Sequence, residues 1–306
     1  MRFAVESWAP EYGSPTEAMG LVEGTAAVDP WAEADASAWR PIRPASGLAP
    51  FATVAFVDGV RRVEANVFVD GDAGTVHRGI CASFAAGVVR CAGSAEVVAA
   101  EVRRGLFVPA QGAEALPTRH GRFDLYATTS DEPEVTSLRL QRAMGELEGE
   151  VARRSPDVDI VVVDGPLRGG LHAGGHVGYV KTHHAVYGPA LVREVVTALA
   201  VGERTPLLLF GAPMPRWSWY LRLPGVVTHG WSGIVRLETA ADTSAAEAAA
   251  IADRICRTLP RFASVPQKDP RAPQNLVPIG GLERELRHRL GDPQIVLRAL
   301  RSASVA

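Results

Sequence analysis

A strand-rich stretch from Ala52 to Cys91, one long amphipathic helix after it, and then strands alternating with helices predict a mixed α/β fold. The chain of 306 residues is long enough to bury a substantial core. Its 47% hydrophobic and 22% charged content is that of a globular protein and not of a disordered chain.

Residues 1–50 come first. "SWAPEYGSP" and "DPWAEADASAWRPIRPASG" mix Pro, Gly, Ser and Trp without periodicity, which predicts an irregular arm with a short helix near Pro15 to Gly20. The main domain is expected over 51–306. "ATVAFVDG", "RRVEANVFVD" and "TVHRGICASFAAGVVRC" read as three strands broken at Gly59 and at "GDAG", an antiparallel meander. Residues 94–130 give mixed signals. From Glu134 to Arg154, Leu140, Met144, Leu147 and Val151 repeat at spacings of four, three and four, one buried helical stripe. Val158 and the run Ile160 to Val163 then read as a buried strand ending on Asp164, with Gly165 and Pro166 stopping it. Further on, "GHVGYVKTHH", "TPLLLFGA", "RWSWYLRL" and "SGIVRLET" are strands. "PALVREVVTALAVG" is a helix with Pro189 near its start and Gly202 past its end. "SAAEAAAIADRICRTL" is a helix with a Ser or Thr cap, and Gly280 to Leu300 is a terminal helix or pair. A meander, a helix and then alternating strands and helices is the order of an RNase H-like mixed β-sheet flanked by helices.

A formal charge of −2 excludes any global attraction to polyanions, so an anionic partner must be met by a local basic patch. The cations are nearly all arginine; the lysines are Lys181 and Lys268. Cys81, Cys91 and Cys256 form no CxxC pair, which fits a reducing cytoplasm. A basic start followed by an apolar run is missing from the first thirty residues, so no secretory signal is expected. No apolar run approaches the roughly 20 residues that span a bilayer.

Two strands read as ending on an aspartate followed by glycine, Asp58 in "FVDG" and Asp164 in "VVVDG". Singly, each reads as a turn. As a pair on neighbouring strands they would face each other, and partly desolvated carboxylates are what Mg²⁺ or Mn²⁺ compensates. A third acid is expected from the preceding helix. Of Glu146, Glu148 and Glu150, Glu148 lies nearest the apolar stripe; Glu64 is a second possibility. Arg61, Arg62, Arg168, Lys181, His183 and His184 cluster near these acids along the chain and suit phosphate oxygens, although singly each reads as a surface charge. No G-x-S-x-G elbow, Walker loop, H-E-x-x-H or strand-borne G-x-G-x-x-G is present. "RWSWYLRLPGVVTHGW" suits base stacking or, more ordinarily, sheet packing.

"FVDGVRR", "VVVDGPL", "VGYVKTHH" and "KDPRAPQNLVPIGGLERELRHRLGD" together resemble the NurA nuclease family in its bacterial form, from about Phe56 to Asp292. The resemblance implies an RNase H-like fold and a homodimer. It implies Mn²⁺-dependent (or Mg²⁺-dependent) DNA hydrolysis, 5′ to 3′ and on single strands, through two ions about 4 Å apart. It also implies work with a HerA-type hexameric ATPase in DNA end resection and repair. Carried across, the metal-binding and catalytic acids fall on Asp58, Glu148 and Asp164, and the lysine on Lys181. Where relatives carry a closing tyrosine-proline segment and a histidine, this chain reads "DPRAPQNLVPIGGLE". Asp269 is the candidate substitute metal ligand, and Gln274 or Asn275 a backbone contact beside Arg61, Arg62 and Lys181; His288 lies further along. The alternative is a catalytically weak or inactive relative serving as a dimeric partner or regulator of a DNA translocase. A third possibility is a nucleic-acid-binding module that does not cleave.

Overall fold

The computed structural model describes residues 22–23, 27–70, 74–109, 113–155, 157–167, 175–183, 185–212 and 214–304. They form a mixed α/β fold, a large mixed sheet flanked by helices. The chain divides into two compact units, one of residues 1–56, 90–96 and 156–280 and one of residues 57–89, 97–155 and 281–306.

The first unit holds β2 (Val28–Asp29), β8 (Ile160–Asp164), β9 (His176–Val180), β11 (Leu208–Phe210), β12 (Arg216–Arg222) and β13 (Ile234–Ala240). Their order is β2-β11-β12-β13-β9-β8. Only β8 and β9 run parallel; the other pairs are antiparallel. A short parallel pair, β1 (Val22–Glu23) with β10 (Ala185–Val186), stands apart. The helices are α2 (Ala190–Ala198) and α3 (Ala245–Thr258). Ser244 caps α3 reciprocally with Glu247, so of the Ser or Thr cap expected from sequence the serine is the one used. Val192, Val195 and Val196 of α2 pack with Leu208, Phe210, Tyr220 and Ile234. Trp39 joins that core at 4% exposure, its indole N–H donating to Pro30 O. The described part of the N-terminal segment, 27–50, is largely irregular and belongs to the first unit, where β2 pairs with β11.

Two buried arginines lock this unit. Arg204 pairs with Glu33 at 2.8 Å and Asp253 at 2.6 Å. Arg222 donates to four carbonyls, those of Thr197, Leu199, Gly230 and Ser232, and so closes the C-terminal end of α2. Burial lowers its guanidinium pKa, and those four acceptors keep its donors satisfied.

The second unit is built on three long strands, β3 (Val54–Asp70), β4 (Val76–Cys91) and β5 (Ala95–Pro109), with β6 (Leu116–Thr118) and β7 (Gly121–Thr128). The order is β3-β4-β5-β7-β6. The connection from β5 to β7 is parallel, an addition the sequence signals over 94–130 did not resolve. Its helices are α1 (Pro133–Arg153), most of α4 (Val277–Arg289) and α5 (Pro293–Ala303). Of the expected α1 stripe, Leu140, Leu147 and Val151 are buried and Met144 is half-buried.

The main correction concerns Asp58. Gly59 does not end a strand; β3 runs unbroken through it for 17 residues to Asp70, so the two strands read on either side are one. Asp58 sits inside a strand, whereas Asp164 is the last residue of β8 as expected. The glycine serves packing instead of a turn. A Cβ on Gly59 would lie 2.5 Å from Glu148 Oε1, 3.0 Å from Met144 Cγ and 3.2 Å from Ala85 O. Only a residue without a side chain lets α1 press this closely on β3.

Candidate metal centre and its surroundings

In the second unit, four carboxylates are nearly withdrawn from water: Asp58 (6% exposed), Glu64 (9%), Glu148 (7%) and Glu283 (6%). Alternation along β3 sorts them by face. Gly59 points toward α1, and Glu148 lies against it there. Asp58, one residue earlier, points to the opposite face. Glu283 of α4 approaches it: the two offer carboxylate oxygens within 4.8 Å of each other. Asp58 Oδ1 also accepts from Gly59 N–H at 2.8 Å, which fixes the side chain against its own backbone. Glu148 is thus buried as the helical stripe required, but on the face of β3 opposite Asp58.

Glu283 escaped the sequence reading because "GGLERELRHR" looks like a solvated helix face. A signal was present. Ile279, Leu282, Leu286 and Leu290 are all 1% exposed or less and mark an inward stripe, and Glu283 adjoins it. Arg287, one turn on, reaches Glu283 Oε2 at 3.6 Å.

Glu64 has a structural task. Arg62 grips it with two donors at 2.8 to 3.1 Å and donates further to Gly291 O and Leu290 O, binding β3 to the end of α4. The Arg62 guanidinium, expected on phosphate, is committed to this tie. Arg61 is exposed. The Glu64 charge, after burial, helps raise the Cys81 thiol to about 12, so that cysteine stays neutral. Glu146 is exposed, and Glu150 pairs with Arg103 at 2.6 Å; that hydrogen bond lowers the Glu150 pKa.

In the first unit, Asp164 anchors a chain of polar contacts. Lys181 Nζ donates to Asp164 Oδ2 at 2.6 Å and to Asn275 Oδ1 at 3.0 Å. Asn275, fully buried, donates its Nδ2 to Asp269 Oδ2 at 2.6 Å, while Asp269 Oδ1 accepts from Arg271 N–H at 2.8 Å. Both oxygens of Asp269 therefore hold neighbouring donors, and Asp269, expected as a metal ligand, orients Asn275 toward Lys181. Gln274 is fully buried, and its carbonyl accepts from Tyr179 Oη at 2.6 Å. Burial first, and the Asp164 charge second, hold the Tyr179 phenol well above its usual pKa. Behind Asp164, Leu167 N–H donates to Glu238 Oε2 at 3.0 Å; Glu238, fully buried, is also held by Arg216 and Arg236. This pins the turn after β8, a role the sequence did not announce. His183 is buried, with its ring at 3.1 Å from Ile234 O. Arg168 and His184 lie outside the described residues. His288 is exposed on α4.

The donor chemistry suits a hard cation. Asp58 and Glu283 supply oxygen only, as does Asp164, whose Oδ1 is buried with no hydrogen-bond partner among the described residues. Compared with family models and with curated proteins, the chain matches none. No helix among the described residues is long and apolar enough to cross a membrane.

Proposed function

We propose that the protein is a metal-dependent DNA nuclease of the NurA type with an RNase H-like core. Asp58 and Glu283 would be its cation-binding carboxylates, with Asp164 the further acid that the family resemblance implies. The observation that carries this is the approach of Asp58 and Glu283, two buried like charges, to within 4.8 Å. Such a pair repels unless a cation or a shared proton intervenes. The meander β3-β4-β5, followed along the chain by α1 and then by the parallel pair β8 and β9, supports the RNase H-like reading.

When bound, one or two Mn²⁺ or Mg²⁺ ions supply Lewis-acid activation of water and of phosphoryl oxygens. The chain's own residues do the rest. Asp58 and Glu283 would concentrate negative charge that selects a divalent cation over a monovalent one. Asp269 orients the Asn275 amide, which fixes Lys181, and Lys181 places a positive charge beside Asp164 where a scissile phosphate would approach. Glu148, on the other face of β3, holds the packing at Gly59 and so the direction of Asp58. A homodimer and a HerA-type ATPase partner follow from the family resemblance.

A second reading, an inactive dimeric partner of a translocase, is favoured by one observation: Lys181 already compensates Asp164 at 2.6 Å. Purified protein with Mn²⁺ and linear DNA separates the two. The nuclease reading expects degradation that Asp58→Asn abolishes with the fold intact by circular dichroism. Manganese binding and cleavage both absent from the wild-type protein would sink it in favour of the second.

A further inference from the structure

The β3–β4 hairpin carries an apolar face that the rest of its unit leaves bare. A cavity of about 350 Å³ opens between β3, β4 and the first turns of α1, lined by Arg61, Val63 and Asn66 of β3 and by Arg78 and Ile80 of β4. Val63 and Asn66 share this side at a spacing that breaks the alternation of a strand. Glu64 and Ala65 account for the extra residue. Arg62 holds Glu64 at the end of α4, while Ala65, with Val67 and Val69, packs on the core of Val296 and Leu300 of α5. A bulge there re-aims the outer half of β3. Phe68, between the inward Val67 and Val69, therefore stands on the cavity side with Asn66. On β4, Val76 alternates in step with Arg78 and Ile80 and shares their face. Val63, Phe68 and Val76 are 51%, 72% and 57% exposed.

Apolar side chains this bare, gathered on one face beside a cavity, mark an interaction surface. Arg61 and Arg78 flank it. Both are exposed, and among the described residues no carboxylate holds either guanidinium, unlike Arg62, Arg103 and Arg122. Asp131 also lines the cavity, but its Oδ2 accepts from Arg78 N–H at 3.3 Å. We propose that this face docks a partner protein through an acidic segment that carries apolar side chains. Charge chooses the occupant. A second copy of this chain, meeting the patch through a two-fold axis, would set the same guanidiniums against each other. A nucleic acid would satisfy the arginines with phosphate and leave Val63 and Val76 bare. An acidic amphipathic segment does both: its carboxylates meet the guanidinium forks, and its apolar side chains cover Phe68 and Val76 and enter the cavity. The proposal does not depend on the nuclease reading.

A phage-displayed library of random peptides tests the chemistry without presupposing the partner. It is first depleted on full-length protein carrying Arg61→Gln, Phe68→Ser and Arg78→Gln, then panned on the wild-type chain. The expected yield is peptides in which Asp or Glu is interleaved with Leu, Ile, Phe or Trp. A selected peptide, fluorescein-labelled and followed by anisotropy, should bind Phe68→Ser about tenfold more weakly, the loss of one buried aromatic anchor. Arg61→Gln with Arg78→Gln should weaken it by a similar factor and flatten its salt dependence. Arg122, already paired with Asp124, supplies the control: Arg122→Gln should change neither. Because the three substituted side chains are exposed, circular dichroism melts should match the wild type. Neutral or basic peptides, no peptide surviving the depletion, or a selected peptide that binds Phe68→Ser as tightly as wild type would overturn the proposal. So would a dimer in sedimentation that Phe68→Ser dissolves, which gives the face to a second copy. An oligothymidylate whose binding needs Phe68 would likewise overturn it and give the face to nucleic acid.

Discussion

Replacing Glu283 by glutamine keeps its volume and removes one of two buried like charges, and the consequence should change sign with metal. At the 4.8 Å limit and an effective dielectric constant of about 20, the Asp58 and Glu283 carboxylates repel by about 3.5 kcal/mol. Arg287, 3.6 Å from Glu283, offsets part of this, but its side chain is 61% exposed and solvent screens it. In EDTA, Glu283→Gln should therefore stabilise the second unit by about 1–2 kcal/mol, a rise of several degrees in melting temperature. Manganese should invert the order. A cation at a hundredfold its dissociation constant adds about 2.7 kcal/mol to the wild-type protein and far less to the variant. Far-UV circular dichroism melts in EDTA and in Mn²⁺ read both arms. Tryptophan fluorescence is the wrong probe, because the described tryptophans (Trp31, Trp39, Trp217, Trp219 and Trp231) lie in the first unit. A variant that is less stable than wild type in EDTA, and that gains as much from manganese, would refute the reasoning.

Gly59→Ala should cost about 1–3 kcal/mol in urea unfolding, since Ala85 O at 3.2 Å is backbone and cannot yield as Glu148 and Met144 can. Ser244→Ala removes one half of the capping box on α3 and should cost about 1 kcal/mol, read by the same method. Tyr179 and Tyr220 have folded pKa values above their unfolded ones, Tyr220 at about 12, chiefly through burial. Their contribution is therefore complete below pH of about 10 and is lost as pH rises toward 12. Ultraviolet difference titration should show these two phenols ionising only with unfolding; early ionisation of both in the folded protein would contradict the burial.

What could be read from the sequence was whatever depends on local periodicity. The α1 stripe, the end of β8 at Asp164 and the cap at Ser244 all follow from residue spacing and turn chemistry. Asp58 was found for a reason that does not hold: it was read as the end of a strand, yet β3 runs on through Gly59, which is there because α1 leaves no space for a side chain. Glu148 and Glu283 show the limit. Both adjoin apolar helical stripes, and only the pleat of β3 decides which face each acid meets. Arg204 and Arg222 turn inward where partners distant in sequence supply carboxylates and carbonyls, and no local pattern marks them. Asp269 was recognised as special, but its partner Asn275 makes it an orienting group. Arg61 was legible as a basic residue near Asp58 along the chain, and it is exposed in the structure.

Crystals soaked in Mn²⁺ and measured at the manganese absorption edge test the central claim most directly. An anomalous peak bonded at about 2.0–2.3 Å to carboxylate oxygens of Asp58 and Glu283 is the expected result. Manganese ordered elsewhere, or none in a crystal whose Lys181 still spans Asp164 and Asn275, would contradict it.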